Sequence, residues 1–88
     1  MDIDIDQLKK KIIYRSNYRG TKEMDKLLGA FTKKYIDELS LNDLSELDEL
    51  LNIDDTDLYN FYNGLECDFK FKDNNITFLF KNYKYNNK

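Results

Sequence analysis

The residues best suited to recognising another molecule lie in one short segment, Tyr18-Arg19-Gly20-Thr21-Lys22-Glu23. The 14 basic residues include only two arginines, Arg15 and Arg19, so the composition favours lysine, and an arginine here indicates a role that lysine does not fill. A guanidinium presents a planar fork of donors that binds a carboxylate through two hydrogen bonds. Two interpretations of Arg19 stay open. It recognises a partner, or it forms a surface ion pair with Glu23 one helical turn away, worth about 0.3–0.5 kcal/mol.

Motifs for catalysis are scarce in this sequence. The chain has no histidine to act as a base, and its one cysteine, Cys67, has no partner for nucleophilic activation. The three glycines, Gly20, Gly29 and Gly64, are isolated, so neither a dinucleotide-binding fingerprint nor a phosphate-binding loop can be assembled. We therefore predict that the chain has no catalytic residues and no cofactor, and that it is not an enzyme.

Metal binding is not predicted either. Without histidine, and with a single cysteine, no familiar zinc pattern can be written, and no internal disulfide can form. The run Asp54-Asp55-Thr56-Asp57 lacks the glycine and the distal glutamate of a calcium-binding loop, so Asp54 or Asp55 is better explained as the cap of a helix. The start of the sequence resembles neither a signal peptide nor a transit peptide, and we expect a cytoplasmic protein without membrane insertion.

The elements that must position these residues are helices. Apolar residues recur at helical spacing in three stripes: Ile5, Leu8, Ile12 and Ile13; Met24, Leu27, Leu28, Phe31 and Tyr35; Leu44, Leu47, Leu50 and Leu51. Gly20 is expected to take the left-handed position that ends the first helix, and Ser40 with Asp43 predicts the start of the third. A short fourth helix carries Leu58, Phe61 and Tyr62.

The last quarter of the sequence allows two structures. Leu65, Cys67, Phe69 and Phe71 alternate with polar residues, which would suit a hairpin. A helix from about Asp73 to Tyr83 instead aligns four apolar residues, namely Ile76, Leu79, Phe80 and Tyr83, and matches the helical remainder. We predict the helix, and hence an all-α fold: a compact five-helix bundle forming a single domain over residues 1–88, with an ordered core at about 4–83 and a polar tail at 84–88.

Charge is distributed unevenly along the chain. Residues 36–68 contain eleven acidic residues and no basic one, between two segments with an excess of lysine and arginine. Such an acidic block repels phosphate backbones, so nucleic-acid binding is disfavoured. The block indicates either the solvated faces of two helices or a surface that docks a complementary protein.

Two blocks of the sequence resemble a known family, the SdhE family of FAD assembly factors, also called flavinators. The family signature R-G-x-x-E-x-D is similar to Arg19-Gly20-Thr21-Lys22-Glu23-Met24-Asp25, which follows Ile13-Tyr14-Arg15-Ser16. The family pattern L-S-x-x-E/D-L and L-L-x-x-x-D-x-D-L-Y is similar to residues 39–44 and 50–59. Thr21 departs from the usual methionine, Phe61-Tyr62 replaces a common Trp-Leu pair, and the segment after Leu65 matches only in its apolar positions.

The resemblance implies a function and a site. Members of the family bind the flavoprotein subunit of succinate dehydrogenase or fumarate reductase and promote covalent attachment of its FAD, while the chemistry belongs to the flavin and the flavoprotein. The implied partner-binding residues are Tyr18, Arg19, Gly20, Glu23 and Asp25. Arg19 and Glu23 are expected to contact the partner, and Gly20 to form the turn from which both project.

The sequence leaves three other interpretations. A helical regulatory or antitoxin-like protein that sequesters a different partner is the main alternative. A DNA-binding helix-turn-helix is opposed by the acidic block unless the lysine-rich ends converge on one face. An enzyme lacks a base and an activated nucleophile.

Overall fold

Five helices make up the structure, a computed structural model that describes residues 4–84. They are α1 (Ile5–Asn17), α2 (Lys22–Tyr35), α3 (Leu41–Leu50), α4 (Asp55–Tyr62) and α5 (Asn75–Asn82). Residues 4–84 contain no strand. The predicted five-helix, all-α fold is confirmed, and so is the helix in the last quarter, although it begins at Asn75 rather than near Asp73. Residues 85–88 of the predicted polar tail lie outside the described residues, and the single-domain boundaries stay a prediction.

Side chains at the helix starts explain where the helices begin. Ser40 accepts a hydrogen bond from the backbone N–H of Asp43 at 3.1 Å, which confirms the predicted start of α3. Asn74 and Thr77 cap α5 reciprocally, each side chain accepting from the other's backbone N–H. Asp54 occupies the N-cap position of α4, as one of the two predicted residues, but its side chain makes no capping hydrogen bond.

The buried residues of all five helices form one hydrophobic cluster. The α1 helix packs on α2 and α3, and α5 packs on α3 and α4, so α3 lies between α1 and α5. The ring of Phe31 is central, with centroids of Tyr35, Phe80 and Tyr83 at 5.1, 5.4 and 5.5 Å. Such aromatic contacts fill the core of a short chain efficiently.

The apolar stripes of α2 and α3 are buried, apart from the partly buried Tyr35, whereas the stripe of α1 is only partly buried. Ile12 is fully buried, but Ile5 and Ile13 are 43 % and 41 % exposed. Successive helical residues are rotated by about 100°, so Ile13 leaves the interface that Ile12 occupies. Of the four residues of this stripe, Ile12 and the partly buried Leu8 belong to the core, whereas Ile5 and Ile13 are exposed.

The basic side chains of α1 neutralise part of the acidic block. Asp48 on α3 accepts from Lys11 Nζ at 3.1 Å and from Arg15 Nη1 at 2.6 Å. Lys9 lies 3.6 Å from the carboxylate of the exposed Asp37. Acidic and basic segments that are separate in the sequence therefore pair within the fold, which neither interpretation of the acidic block anticipated.

We expect the substitution Thr32→Val to stabilise the protein. Thr32 is 1 % exposed, and its hydroxyl has no hydrogen-bond partner among the described residues. A buried unsatisfied hydroxyl costs desolvation free energy that valine avoids, so the free energy of unfolding should rise by about 1 kcal/mol in a urea titration. The matched control is Thr77→Val, which removes the hydroxyl of the α5 capping box and should destabilise. Destabilisation by Thr32→Val would mean that its hydroxyl has a partner in solution.

Candidate functional site

The loop between α1 and α2 turns at Gly20. Its φ is +136°, in a region that other residues rarely adopt, so the predicted positive φ is confirmed. The predicted position was wrong, however, because α1 ends at Asn17, with Tyr18 as its C-cap. Gly20 instead lies directly before Thr21, the N-cap of α2, whose hydroxyl accepts from Met24 N–H. The glycine therefore sets the entry into α2 rather than the end of α1.

The side chain of Arg19 binds the turn between α3 and α4. Its Nε donates to Asp55 Oδ1 at 2.8 Å, its Nη2 donates to the carbonyl of Ile53 at 2.7 Å, and its Nη1 donates to the carbonyl of Leu51. Leu51 is the C-cap of α3, where unpaired carbonyls favour a cation. The guanidinium fork thus binds several acceptors at once, as its chemistry predicts, but these acceptors belong to the same chain and not to a partner.

This geometry corrects one of the two interpretations of Arg19. The side chain is only 10 % exposed, and its ionic partner is Asp55 rather than Glu23. The interpretation as an Arg19–Glu23 surface pair is therefore wrong. Sequence reasoning missed the pairing because Arg19 and Asp55 are 36 residues apart and no local spacing connects them.

Asp25 completes the internal frame around Arg19. Its carboxylate in the first turn of α2 accepts a hydrogen bond from the backbone N–H of Arg19. Both the backbone and the side chain of Arg19 are consequently held in place. Two residues of the family signature, Arg19 and Asp25, thus form hydrogen bonds within the chain. These bonds fix the loop that contains Gly20.

Three exposed side chains lie on or near this loop: Tyr18 in the loop, Glu23 in the first turn of α2, and Tyr59 on α4; we call them the exposed corner. Thr21 and Lys22 are exposed here as well. Tyr18 is 69 % exposed and its ring lies 4.7 Å from that of Tyr14. Glu23 is exposed and has no ion pair or side-chain hydrogen bond within residues 4–84. Glu23 and Tyr59 line a recess of about 330 Å³ between α2 and α4. The Glu23 carboxylate beside the exposed ring of Tyr59 can bind a partner surface that offers a donor and apolar area.

Tyr59 was not assigned a contact by sequence reasoning. It is 46 % exposed, whereas its neighbour Leu58 is fully buried. The signal was present in the family pattern, where a Leu-Tyr pair ends the second block, but the pattern does not say which member faces solvent. A second, smaller recess is lined by Glu23, Tyr59 and Asp55. Because Asp55 also binds Arg19, α4 connects the exposed corner to the Arg19 frame, by which we mean Arg19 with Asp25 and Asp55.

Two properties of residues 4–84 bear on other kinds of site. No group of three or more His, Cys, Asp or Glu residues in this range is arranged to hold a metal ion. None of the helices in the described part is both long and apolar enough to cross a membrane. Cys67 is half-buried, and its thiol lies 3.4 Å from the carbonyl of Phe69.

Comparison with known proteins gives consistent matches. The model of a family described as flavinator of succinate dehydrogenase matches residues 10–84. Among curated proteins, the chain is similar to the mitochondrial succinate dehydrogenase assembly factor 2 of three yeasts. Identity is 40 % over 55 residues for Lodderomyces elongisporus (62 % of this chain, 34 % of the relative) and 45 % over 51 residues for Meyerozyma guilliermondii (58 % and 38 %). It is 40 % over 55 residues for Saccharomyces cerevisiae (62 % and 34 %).

These matches differ in what they cover. The family model spans most of the chain, including the Arg19 frame, the exposed corner and all of α2 to α5. The chain spans only about a third of the length of the curated relatives that it matches. No solved structure matches the chain.

Proposed function

The chain belongs to the family of flavinators of succinate dehydrogenase, and on that membership we propose that it is an assembly factor for the flavoprotein subunit. It binds the flavoprotein subunit of succinate dehydrogenase or of fumarate reductase and promotes covalent attachment of FAD to it. The observation that carries this proposal is the family match over residues 10–84, because the matched range includes the whole site built around Gly20. The relatives are named as assembly factors of succinate dehydrogenase, and these names support the proposal.

The proposed role is geometric rather than catalytic. The chain offers no histidine, and covalent attachment uses the reactivity of the flavin and of a side chain of the flavoprotein. A helper that binds one arrangement of the flavoprotein more tightly than others raises the population of that arrangement. If flavin and attacking side chain are close and aligned in it, the rate of attachment increases. No catalytic group of the helper is needed.

Different residues of the site have different proposed roles. Tyr18, Glu23 and Tyr59 contact the flavoprotein directly, because their side chains are exposed and Glu23 and Tyr59 line one recess. Arg19 and Asp25 act as positioning residues, since their polar groups are bound within the chain. Gly20 forms the turn that connects the contact residues to the positioning residues.

Glu23→Gln is expected to weaken binding to the flavoprotein about five- to tenfold, as loss of one interfacial charge typically does. Its melting temperature should stay that of the wild type, because the carboxylate has no partner within residues 4–84. Titration calorimetry with the purified flavoprotein measures the first effect, and differential scanning calorimetry the second. The matched control is Glu38→Gln, an exposed carboxylate outside the exposed corner. If Glu23→Gln and Glu38→Gln bind the flavoprotein with equal affinity, Glu23 does not contribute to the interface.

The compartment is part of the proposal. The sequence predicts a cytoplasmic protein, while the relatives are named as mitochondrial. We propose the cytoplasm, as the place where this chain meets its flavoprotein before membrane assembly. Fractionation followed by immunoblotting tests this, and recovery of the protein in an organelle fraction would refute it.

Deletion of the gene tests the function as a whole. We expect the flavoprotein subunit to remain detectable by immunoblot while its covalent flavin, seen as in-gel fluorescence, decreases. The reason is that the proposed role concerns cofactor attachment and not folding of the subunit. Unchanged fluorescence in the deletion strain would contradict the proposal, and loss of the polypeptide itself would indicate a folding chaperone.

A further inference from the structure

A preformed groove lies on a different part of the molecule from the exposed corner. It has a volume of about 300 Å³ and is bordered by α3, the turn after it, and the connection between α4 and α5. Its apolar floor comprises Leu50, Ile53, Phe69 and Phe71, and its rim carries Glu46, Glu49, Asp54, Asp57 and Lys72. We call it the acidic groove. It shares no lining residue with the recess that contains Glu23 and Tyr59.

The wall of the acidic groove is held in place although it is not helical. The ring of Phe71 stacks on that of Phe61 with centroids 4.1 Å apart. The Thr77 hydroxyl lies 2.7 Å from the carbonyl of Lys72, which fixes the end of the connection to α5. Phe69, by contrast, is 43 % exposed and contributes apolar surface that the chain does not cover. Recognition sites of this kind are concave, partly apolar and largely preformed.

The rim of the acidic groove is only partly neutralised by the chain. Lys9, Lys11 and Arg15 pair with Asp37 and Asp48, which lie outside the groove. Within residues 4–84, Asp54 and Asp57 have no ion pair. Glu49 pairs with Lys72 at 3.2 Å, but both side chains are largely exposed. The lining therefore carries four carboxylates and one ammonium group. Arg15 and Arg19 also donate to lining residues, to Asn52 Oδ1 and to the carbonyl of Ile53, but their charges are paired with Asp48 and Asp55. The lining keeps a net negative charge, which favours a cation.

We infer that the acidic groove binds a cationic, partly apolar segment of a partner protein, in which arginine or lysine alternates with aliphatic residues. The floor takes up aliphatic side chains and the rim pairs with the cations, so both features of the groove are used. A free small cation would leave the apolar floor uncovered. Nucleic acids and acidic peptides would be repelled by the rim. This inference goes beyond the proposed function and does not depend on it.

The test uses the full chain and a fluorescein-labelled peptide of alternating arginine and leucine, followed by fluorescence anisotropy. We expect saturable binding that the double variant Asp54→Asn, Asp57→Asn weakens by about tenfold or more. The variant Phe69→Ser should also weaken binding by severalfold, because it removes exposed apolar surface. Binding should weaken further as salt is raised, since the rim charges are solvent-accessible.

The matched control is the double variant Glu38→Gln, Glu66→Gln, which removes the same charge from exposed residues that do not line the groove. It should bind the peptide like the wild type, and all variants should keep the wild-type circular dichroism spectrum. Four results would each overturn the inference: no binding of the peptide, equal binding of a peptide with glutamate in place of arginine, equal weakening by the control variant, or equal affinity for N-acetylarginine amide. The last result would assign the groove to small cations.

Discussion

Replacing Arg19 by alanine is expected to lower the free energy of unfolding by about 3 kcal/mol, in the range measured when one partner of a poorly exposed ion pair is removed. The side chain is 10 % exposed, and its fork binds the Asp55 carboxylate and the carbonyls of Leu51 and Ile53. Alanine leaves these three acceptors without their donors and separates the α1–α2 loop from the α3–α4 turn. Urea unfolding followed by circular dichroism measures the change.

Two further variants make this prediction specific. Lys9→Ala removes an ion pair whose aspartate side chain is 89 % exposed, and should cost less than about 1 kcal/mol. Arg19→Lys should recover only part of the loss, because an ammonium group cannot reach the three acceptors in one plane. A wild-type unfolding midpoint for Arg19→Ala would show that the Asp55 pairing does not persist in solution, and would favour a direct contact of Arg19 with the partner.

Gly20→Val is expected to reduce covalent flavin on the flavoprotein by about tenfold or more, with a loss of stability of about 1–3 kcal/mol from backbone strain. The strain comes from φ = +136°, which valine cannot easily adopt. A clash is not the cause, because a Cβ at this position would meet only Asp55 Oδ2, at an ordinary 3.7 Å. The loop relieves the strain by moving, and this displaces Tyr18 relative to Glu23. In-gel flavin fluorescence of the co-expressed flavoprotein measures the effect.

Gly64→Val is the matched control for this prediction. Gly64 also has a positive φ, +73°, and a Cβ there meets nothing within 4 Å, but it lies after α4 and away from the α1–α2 loop. Valine at position 64 should cost similar stability and leave flavin attachment intact at temperatures where the protein is folded. If both variants lose flavin attachment equally, stability and not the geometry of the Gly20 turn governs function. Full activity of Gly20→Val would contradict the role of the turn.

Periodicity explains why most of the fold could be predicted. The stripes of α2 and α3 are buried as the spacing indicates, because each helix faces the core along one side. Exposure of Ile13 could not be predicted, since it depends on where α2 and α3 lie against α1. The start of α3 was predictable because the side chain of Ser40 caps its own helix.

The contacts around the candidate site could not be predicted from the sequence, and the partner-binding residues that the family signature implies stay a prediction. The family signature identified the loop around Gly20, and the positive φ followed from the residue type. The partner of Arg19 is 36 residues away, so local spacing favoured Glu23 instead. The acidic groove was also not anticipated, because its wall is formed by residues between α4 and α5 that have no helical or strand periodicity. Long-range pairing and irregular connections require the fold to be known.

The central claim, that this chain promotes covalent attachment of FAD, is tested most directly by reconstitution. The purified flavoprotein subunit without covalent flavin is incubated with FAD, with and without an equimolar amount of this chain, and samples are followed over time by flavin fluorescence in denaturing gels. We predict that the chain increases the rate of covalent attachment, and that Gly20→Val does so far less than Gly64→Val. Identical time courses with and without the wild-type chain would contradict the claim.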